Sequence, residues 1–356
     1  MTDPQSSGVG RAGRAQTVLG PVAPESLGVT LPHEHLFVDL RFLYREPLTG
    51  HVRGHEREPV ALVNLYEINY DWFSNLDNLS LTDEATAIEE AGRFRRDGGQ
   101  TLVDPTTAGI GRDPLALQRV ARATGLHVIM GSGYYTEPAH PPALAGATDD
   151  ALAREIVRDV TEGVGDTGIR AGLIGEIGCS WPWTATERKS LRAAAHAARE
   201  SGAPLMIHPA RDPKAPEAHL EEVRRTGLDP RRVIIAHIER TIIADPGRLR
   251  AVVDTGCYVE YDLFGIEISH FPWGGPDMPN DAERMRQVLW LIEQGYGRQV
   301  LLSHDVCFKI RLTRFGGTGL AHIPRRIVPR LRQRGASEAD IRALIVENPA
   351  RALTFA

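Results

Sequence analysis

Apolar runs rich in β-branched residues recur eight times along the chain, separated by stretches whose apolar residues return at helical spacing. The runs are GVTLPHEHLFVD (28–39), TLVDPTT (101–107), HVIMGSGYY (127–135), AGLIGEIGC (171–179), APLMIHPAR (203–211), RVIIAHIERT (232–241), CYVEYDLFG (257–265) and VLLSHDVCF (300–308). Among the intervening segments, LTDEATAIEEAGRFRRDGG (81–99) opens on a Thr-Asp cap and ends in glycine. TATERKSLRAAAHAARESG (184–202) and SEADIRALIVENPARAL (337–353) read the same way. Continuous apolar strands alternating with amphipathic helices predict parallel pairing with both sheet faces covered. Eight such units in one chain suggest a single (β/α)8 TIM barrel over residues 16–356. A doubly wound open sheet shares the alternation, and counting strands does not by itself close the sheet.

Two connections are long. Residues 40–80 follow the first strand and carry Tyr66, Tyr70, Trp72 and Phe73, and residues 265–281 follow the seventh. Both leave the C-terminal ends of strands, where barrel enzymes keep their sites. The opening MTDPQSSGVGRAGRA (1–15) lacks the apolar core of a secretory signal and reads as a disordered tail.

Composition narrows the function classes. A net charge of −5 with mixed signs offers no footprint for nucleic acid. No apolar run approaches the ~20 residues that span a bilayer. Three scattered cysteines, Cys179, Cys257 and Cys307, make no disulfide framework, so a reducing, cytoplasmic setting with buried free thiols is expected.

The polar residues at strand ends carry the chemistry. The first strand ends in His33-Glu34-His35, and the fourth, fifth, sixth and eighth carry Glu176, His208, His237 and Asp305. Strand side chains alternate faces, so His33 and His35 point together and Glu34 points away. By the same rule His304, beside Asp305, should pack behind the barrel. An ionised carboxylate such as Glu176 inside an apolar run costs several kcal/mol, on the order of a buried unpaired ion, unless it is partnered. Four imidazoles and two carboxylates converging on one opening call for cations. Two divalent ions satisfy them: one with His33, His35 and Asp305, the other with His208 and His237, and Glu176 bridging both.

This constellation resembles the amidohydrolase superfamily, and within it the phosphotriesterase-related branch. TVLGPVAPESLGVTLPHEHLF, IGEIGCSWPWTATERKSLRAAAHA, MIHPARDP, IIAHIERT, EYDLFGIEISH and SHDVCFKIRLTRFGGTGLAHI all look like that branch, covering nearly the whole chain. The resemblance implies a closed barrel and a metal-dependent hydrolase. It assigns His33 and His35 to the first-strand ligands, His208 and His237 to strands five and six, and Asp305 to strand eight. In phosphotriesterase proper a carboxylated lysine bridges the metals from strand four. The lysines here, Lys189, Lys214 and Lys309, lie elsewhere, and Glu176 takes that role. The resemblance also implies, weakly, a homodimer.

The expected reaction follows from that site. Two ions ~3.5–4 Å apart can hold one hydroxide, and a single Zn²⁺ already brings water's pKa to roughly 7. That hydroxide is the expected nucleophile, and Asp305 the residue that takes its proton and passes it to the leaving group. Imidazole and carboxylate donors suit Zn²⁺, with Mn²⁺, Co²⁺ and Fe²⁺ as alternatives. Arg211, Arg240 and Lys309 follow the ligand-bearing strands and favour an anionic small-molecule substrate, an amide, ester or lactone beside an acidic group. Tyr134, Tyr135, Tyr261 and Asp262, also at strand ends, are candidate pocket residues, with Tyr134 and Tyr261 taken as substrate contacts. Two other readings stand beside this one: a phosphoric-ester hydrolase on the same site, and a non-catalytic ligand-binding protein with structural metals. No Gly-x-Ser-x-Gly elbow, His-Glu-x-x-His or phosphate loop supports a competing chemistry.

Overall fold

A computed structural model describes residues 11–47, 54–271 and 277–356. Eight strands run parallel in one sheet: β1 (Thr30–Leu31), β2 (Thr101–Asp104), β3 (His127–Ser132), β4 (Leu173–Gly178), β5 (Leu205–His208), β6 (Val233–Ile235), β7 (Tyr258–Tyr261) and β8 (Val300–Leu302). Their spatial order is their chain order, the signature of repeated βα units winding one way into a (β/α)8 TIM barrel. The helices form where the spacing placed them. Glu84–Arg96 is capped by the Asp83 side chain, and Ala185–Ser201 by a Thr184–Glu187 capping box. The 338–352 segment is helical throughout but passes through a π turn at Ala343–Glu347.

Side chains close the barrel where ladder pairing between β1 and β8 is sparse. The His33 N–H donates to Ser303 Oγ at 3.0 Å, and the Asp305 N–H donates to the His33 carbonyl at 3.1 Å. Glu34 is the clasp. It accepts from the His304 N–H at 2.9 Å, His304 Nδ1 at 2.6 Å and the Val306 N–H at 3.1 Å, with Ser303 Oγ 2.8 Å away. His304 Nε2 accepts the Ile323 N–H, which puts the imidazole proton on Nδ1, facing Glu34. Alternation therefore sends Glu34 and His304 to the seam while their neighbours face the barrel mouth.

The barrel interior is apolar at its base. Val103, Ile129, Leu173, Met206, Ile234 and Leu301 pack together there, and Ala15 and Leu353 cover them from below. Ala15 opens a short hairpin with Gly20–Val22, and the Arg11 guanidinium donates to the Val160 and Thr161 carbonyls. Residues 11–15 thus belong to the folded domain, not to the tail in which the sequence reading placed them. The rest of that tail lies outside the described residues, as do 48–53 and 272–276 of the two long connections. All three cysteines are buried and free. No helix among the described residues is long and apolar enough to cross a membrane.

Candidate metal centre

Above the apolar base, the interior turns polar. In β5 and β8, continued alternation from the inward Met206 and Leu301 carries His208 and Asp305 inward. In β1, Leu31 pairs with Leu102 on the outward face, and the Glu34 N–H donates to the Val103 carbonyl one residue out of step, so that His33 and His35 come to face inward. Glu176 also arrives through a break in the alternation. Leu173 faces the interior and Ile174 the helices, so strict alternation would send Glu176 outward. The register with β5 shifts between Ile174 and Ile177, and Gly175 within it has φ +124°. A Cβ on Gly175 would lie 2.4 Å from the Met206 carbonyl oxygen, so glycine is required there. This bulge reverses the parity and aims Glu176 into the barrel. His237 and Asp305 are the only non-glycine residues with positive φ among those described, at 52° and 49°. Such backbone costs of order 1–3 kcal/mol and is characteristic of functional sites.

The cluster is tight. Glu176 Oε1 lies 3.5 Å from His35 Nε2, and its Oε2 lies 2.8 Å from His208 Nδ1 and 3.5 Å from both His33 Nε2 and His237 Nε2. Asp305 Oδ1 lies 3.2 Å from His35 Nε2 and 3.7 Å from His33 Nε2. Glu176 thus sits among all four histidines, Oε1 toward His35 and Oε2 toward His33, His208 and His237.

Polar neighbours orient the imidazoles. Thr106 Oγ1 donates to the Phe37 carbonyl at 3.0 Å, so its 2.7 Å contact with His35 Nδ1 is one in which the imidazole donates. That leaves His35 Nε2 as the nitrogen facing Glu176 and Asp305. Asp262 accepts from His237 Nδ1 at 2.7 Å and leaves His237 Nε2 facing the cluster. Hydrogen-bonding the far nitrogen to fix the near one is how proteins prepare histidine ligands.

The site also fits a cation electrostatically. Burial alone would raise Glu176's pKa, but His208 and His33 hold it well below the carboxylate range. Burial lowers His35 and His237, yet Asp305 and Glu176 raise the first to about 10, and Asp262 raises the second to about 9. Burial takes His208 down to about 4, against the pull of Glu176 and with help from His237 and Arg240. Both nitrogens of the fully buried His33 lack a hydrogen-bond partner among the described residues. His208 Nδ1 and His237 Nε2 face one another at 2.8 Å. Imidazole nitrogens and carboxylate oxygens aimed at common points, short of positive charge, suit a divalent metal. By distance, the His33–His35–Asp305 and His33–Glu176–His237 trios could each hold one.

A cavity of about 670 Å³ opens over the cluster. Asp305 and His208 are its most open members, with side chains 16% and 18% exposed. Arg211 and Arg240 line it beside aromatic rings of Trp72, Phe73, Phe271 and Phe308. The Arg211 guanidinium stacks 3.7 Å over Phe271, and Arg240 reaches His208 Nε2 and the Pro209 carbonyl, both at 3.1 Å.

Three of the proposed substrate contacts are corrected by the structure. Tyr134 is buried away from the cavity, whereas its neighbour Tyr135, also named as a pocket candidate, lines it, with its hydroxyl 3.3 Å from the His208 ring nitrogens. Counting by twos from the inward Ile129 selects Tyr135, not Tyr134. Tyr261 is fully buried on the outward face of β7, between the inward Glu260 and Asp262. Lys309 pairs with Asp77 of the first long connection and lines a smaller cavity on the other side of His35, not the one over the cluster. The sequence reading also passed over Thr106, Glu260 and the orienting role of Asp262. Glu260-x-Asp262 has the same spacing of two as His33-x-His35 and was visible as such.

Comparison with known proteins agrees with this picture. The family model described as the phosphotriesterase family matches residues 13–353. An N-acetyltaurine hydrolase of Salmo salar is 39% identical over 346 residues, 97% of this chain and 99% of that protein. The solved structure of a resiniferatoxin-binding protein from Rhodobacter sphaeroides is 39% identical with a TM-score of 0.93, covering 96% of this chain and 95% of that one. That of an organophosphorus hydrolase from Deinococcus radiodurans is 29% identical with a TM-score of 0.76, covering 99% and 100%.

Proposed function

The chain belongs to the phosphotriesterase family and is a hydrolase, and from that premise we propose that it uses two divalent metals to cleave an amide of a small anionic substrate. An N-acylated aminosulfonate is the first candidate. The observation that carries this reading is the placement of two guanidiniums, Arg211 and Arg240, in the cavity above the imidazole–carboxylate cluster. Relatives named N-acetyltaurine hydrolase, at 39–40% identity over nearly full length, support the same class.

His33, His35 and Asp305 would hold one ion, His208 and His237 the other, with Glu176 between them. Bound divalent ions, with Zn²⁺ the first choice, would supply a hydroxide at neutral pH and polarise the scissile carbonyl. The chain's own residues do the rest. Thr106 and Asp262 keep His35 and His237 in the tautomers that face the cluster. Arg211 and Arg240 hold the acidic group and so set the carbonyl over Asp305. The Asp305 carboxylate takes the proton of the attacking water and returns it to the leaving nitrogen as the C–N bond breaks. Acid and amine are the products.

The test is a paired assay of metal-loaded enzyme with N-acetyltaurine and with N-ethylacetamide, which keeps the amide and lacks the sulfonate. We expect kcat/KM to favour the anion. Arg211→Met should lower it by roughly 10–100-fold for the anion, the worth of a charge-assisted hydrogen bond, and barely change it for the neutral amide. Turnover confined to neutral organophosphates would overturn the amide reading in favour of phosphoric-ester hydrolysis.

A further inference from the structure

β7 turns two carboxylates toward the barrel interior, and only one of them is accounted for. Asp262 accepts from the His237 backbone N–H and Nδ1, and its Oδ2 lies 3.1 Å from His33 Nδ1. Glu260 sits one inward position closer to the base, fully buried. Neither of its oxygens has a hydrogen-bond partner among the described residues, and Oε2 lies 3.5 Å from that same His33 Nδ1. A buried carboxyl left without a hydrogen-bond partner costs about 1–3 kcal/mol or more, from its lost hydration. Nothing in the packing of the barrel requires one: at the same level the neighbouring strands supply Ala236 and Leu301.

His33, Glu260 and Asp262 are close enough together to hold a metal by distance. All three are sealed within the barrel, however, and the other nitrogen of His33 faces the cluster. The arrangement is that of two carboxylates gripping the far side of one imidazole.

We infer that Glu260 is a positioning residue for the first metal position. Together with Asp262 it sets carboxylate oxygens 3.5 and 3.1 Å behind His33 Nδ1, which favours the proton on that nitrogen and turns Nε2 toward Glu176 and Asp305. His35, on the same metal, is held from behind by a neutral hydroxyl, so the charge behind His33 makes it the more basic donor of the pair. In the metal-free protein the Glu260 carboxyl has no hydrogen-bond partner among the described residues, and a cation held by His33 Nε2 would draw the Nδ1 proton toward it. This inference rests on reading the cluster as a metal centre.

The test compares wild type with Glu260→Gln, which is nearly isosteric, and Glu260→Leu. Binding of Mn²⁺ and Co²⁺ is measured by chelator competition, and the thermal midpoint is measured for metal-free and metal-loaded protein. Expected is about 10–100-fold weaker binding at one metal position, the other unchanged. The metal-free midpoint should stay level or rise in both variants, so that the gain on adding metal shrinks. Unchanged affinity at both positions overturns the inference. So does an equal fall of the midpoint with and without metal, which marks a packing role. If wild type itself binds no divalent metal in this assay, it is the metal-centre reading that fails, and the inference falls with it.

Discussion

Glu34 and Glu176 are both buried carboxylates on barrel strands or their extensions, both beside histidine, and they do opposite things. Glu34, at the seam, has its lone pairs met by two backbone N–H groups, an imidazole N–H and a hydroxyl. Every partner is protein, and the arrangement is complete. Glu176 meets imidazole edges, several near 3.5 Å, and its own N–H goes to the Pro105 carbonyl, away from the cluster. A satisfied buried charge holds a fold together. A cluster left short of partners is a site prepared for something else.

That contrast can be broken from either side. The largest effect belongs to the cluster: Asp305→Asn should cut kcat by about 10²–10⁴-fold, the worth of a general acid–base group, with the thermal midpoint nearly unchanged. The seam should behave in reverse. Glu34→Ala leaves the His304 Nδ1–H and two backbone N–H groups unpaired, and should cost about 3–5 kcal/mol of stability by denaturant unfolding, with or without metal. Equal loss of activity and stability in both variants would dissolve the distinction.

Smaller changes sharpen it. Thr106→Val removes the acceptor of His35 Nδ1 and should weaken metal binding about 10–100-fold, seen by chelator competition, while leaving the substrate KM of loaded enzyme close to wild type. Tyr261→Phe should change neither kcat nor KM. Its hydroxyl is buried without a partner, so stability should hold level or rise slightly by thermal melting.

Much of the fold was legible because the βα alternation is a repeated local pattern. The polar strand ends were legible because side-chain direction alternates: His33 and His35 against Glu34, Asp305 against His304. Glu176 and His237 were named from the sequence, but how each reaches the site was not legible in it, and what escaped outright depended on parity or on distant chain. Glu176 enters the barrel only because a bulge at Gly175 reverses the alternation, which no local periodicity announces. His237 turns inward on a left-handed backbone where its strand ends, and the predicted strand continues as the Ile238–Thr241 helix. Tyr134 and Tyr261 were one residue off the inward face. Lys309 was claimed by Asp77, a partner 232 residues away in sequence. The aromatic wall draws on connections after β1, β7 and β8, whose meeting is a property of the closed barrel.

The central claim is that the cluster is a two-metal centre bridged by Glu176. Elemental analysis of gently purified protein, after exposure to Zn²⁺ or Mn²⁺ and removal of the excess, tests it directly beside Glu176→Ala. The account predicts about two divalent ions per chain in wild type, the complement of a bridged site, and fewer in the variant. Two ions in both would contradict the bridge, and little metal in wild type would contradict the centre itself.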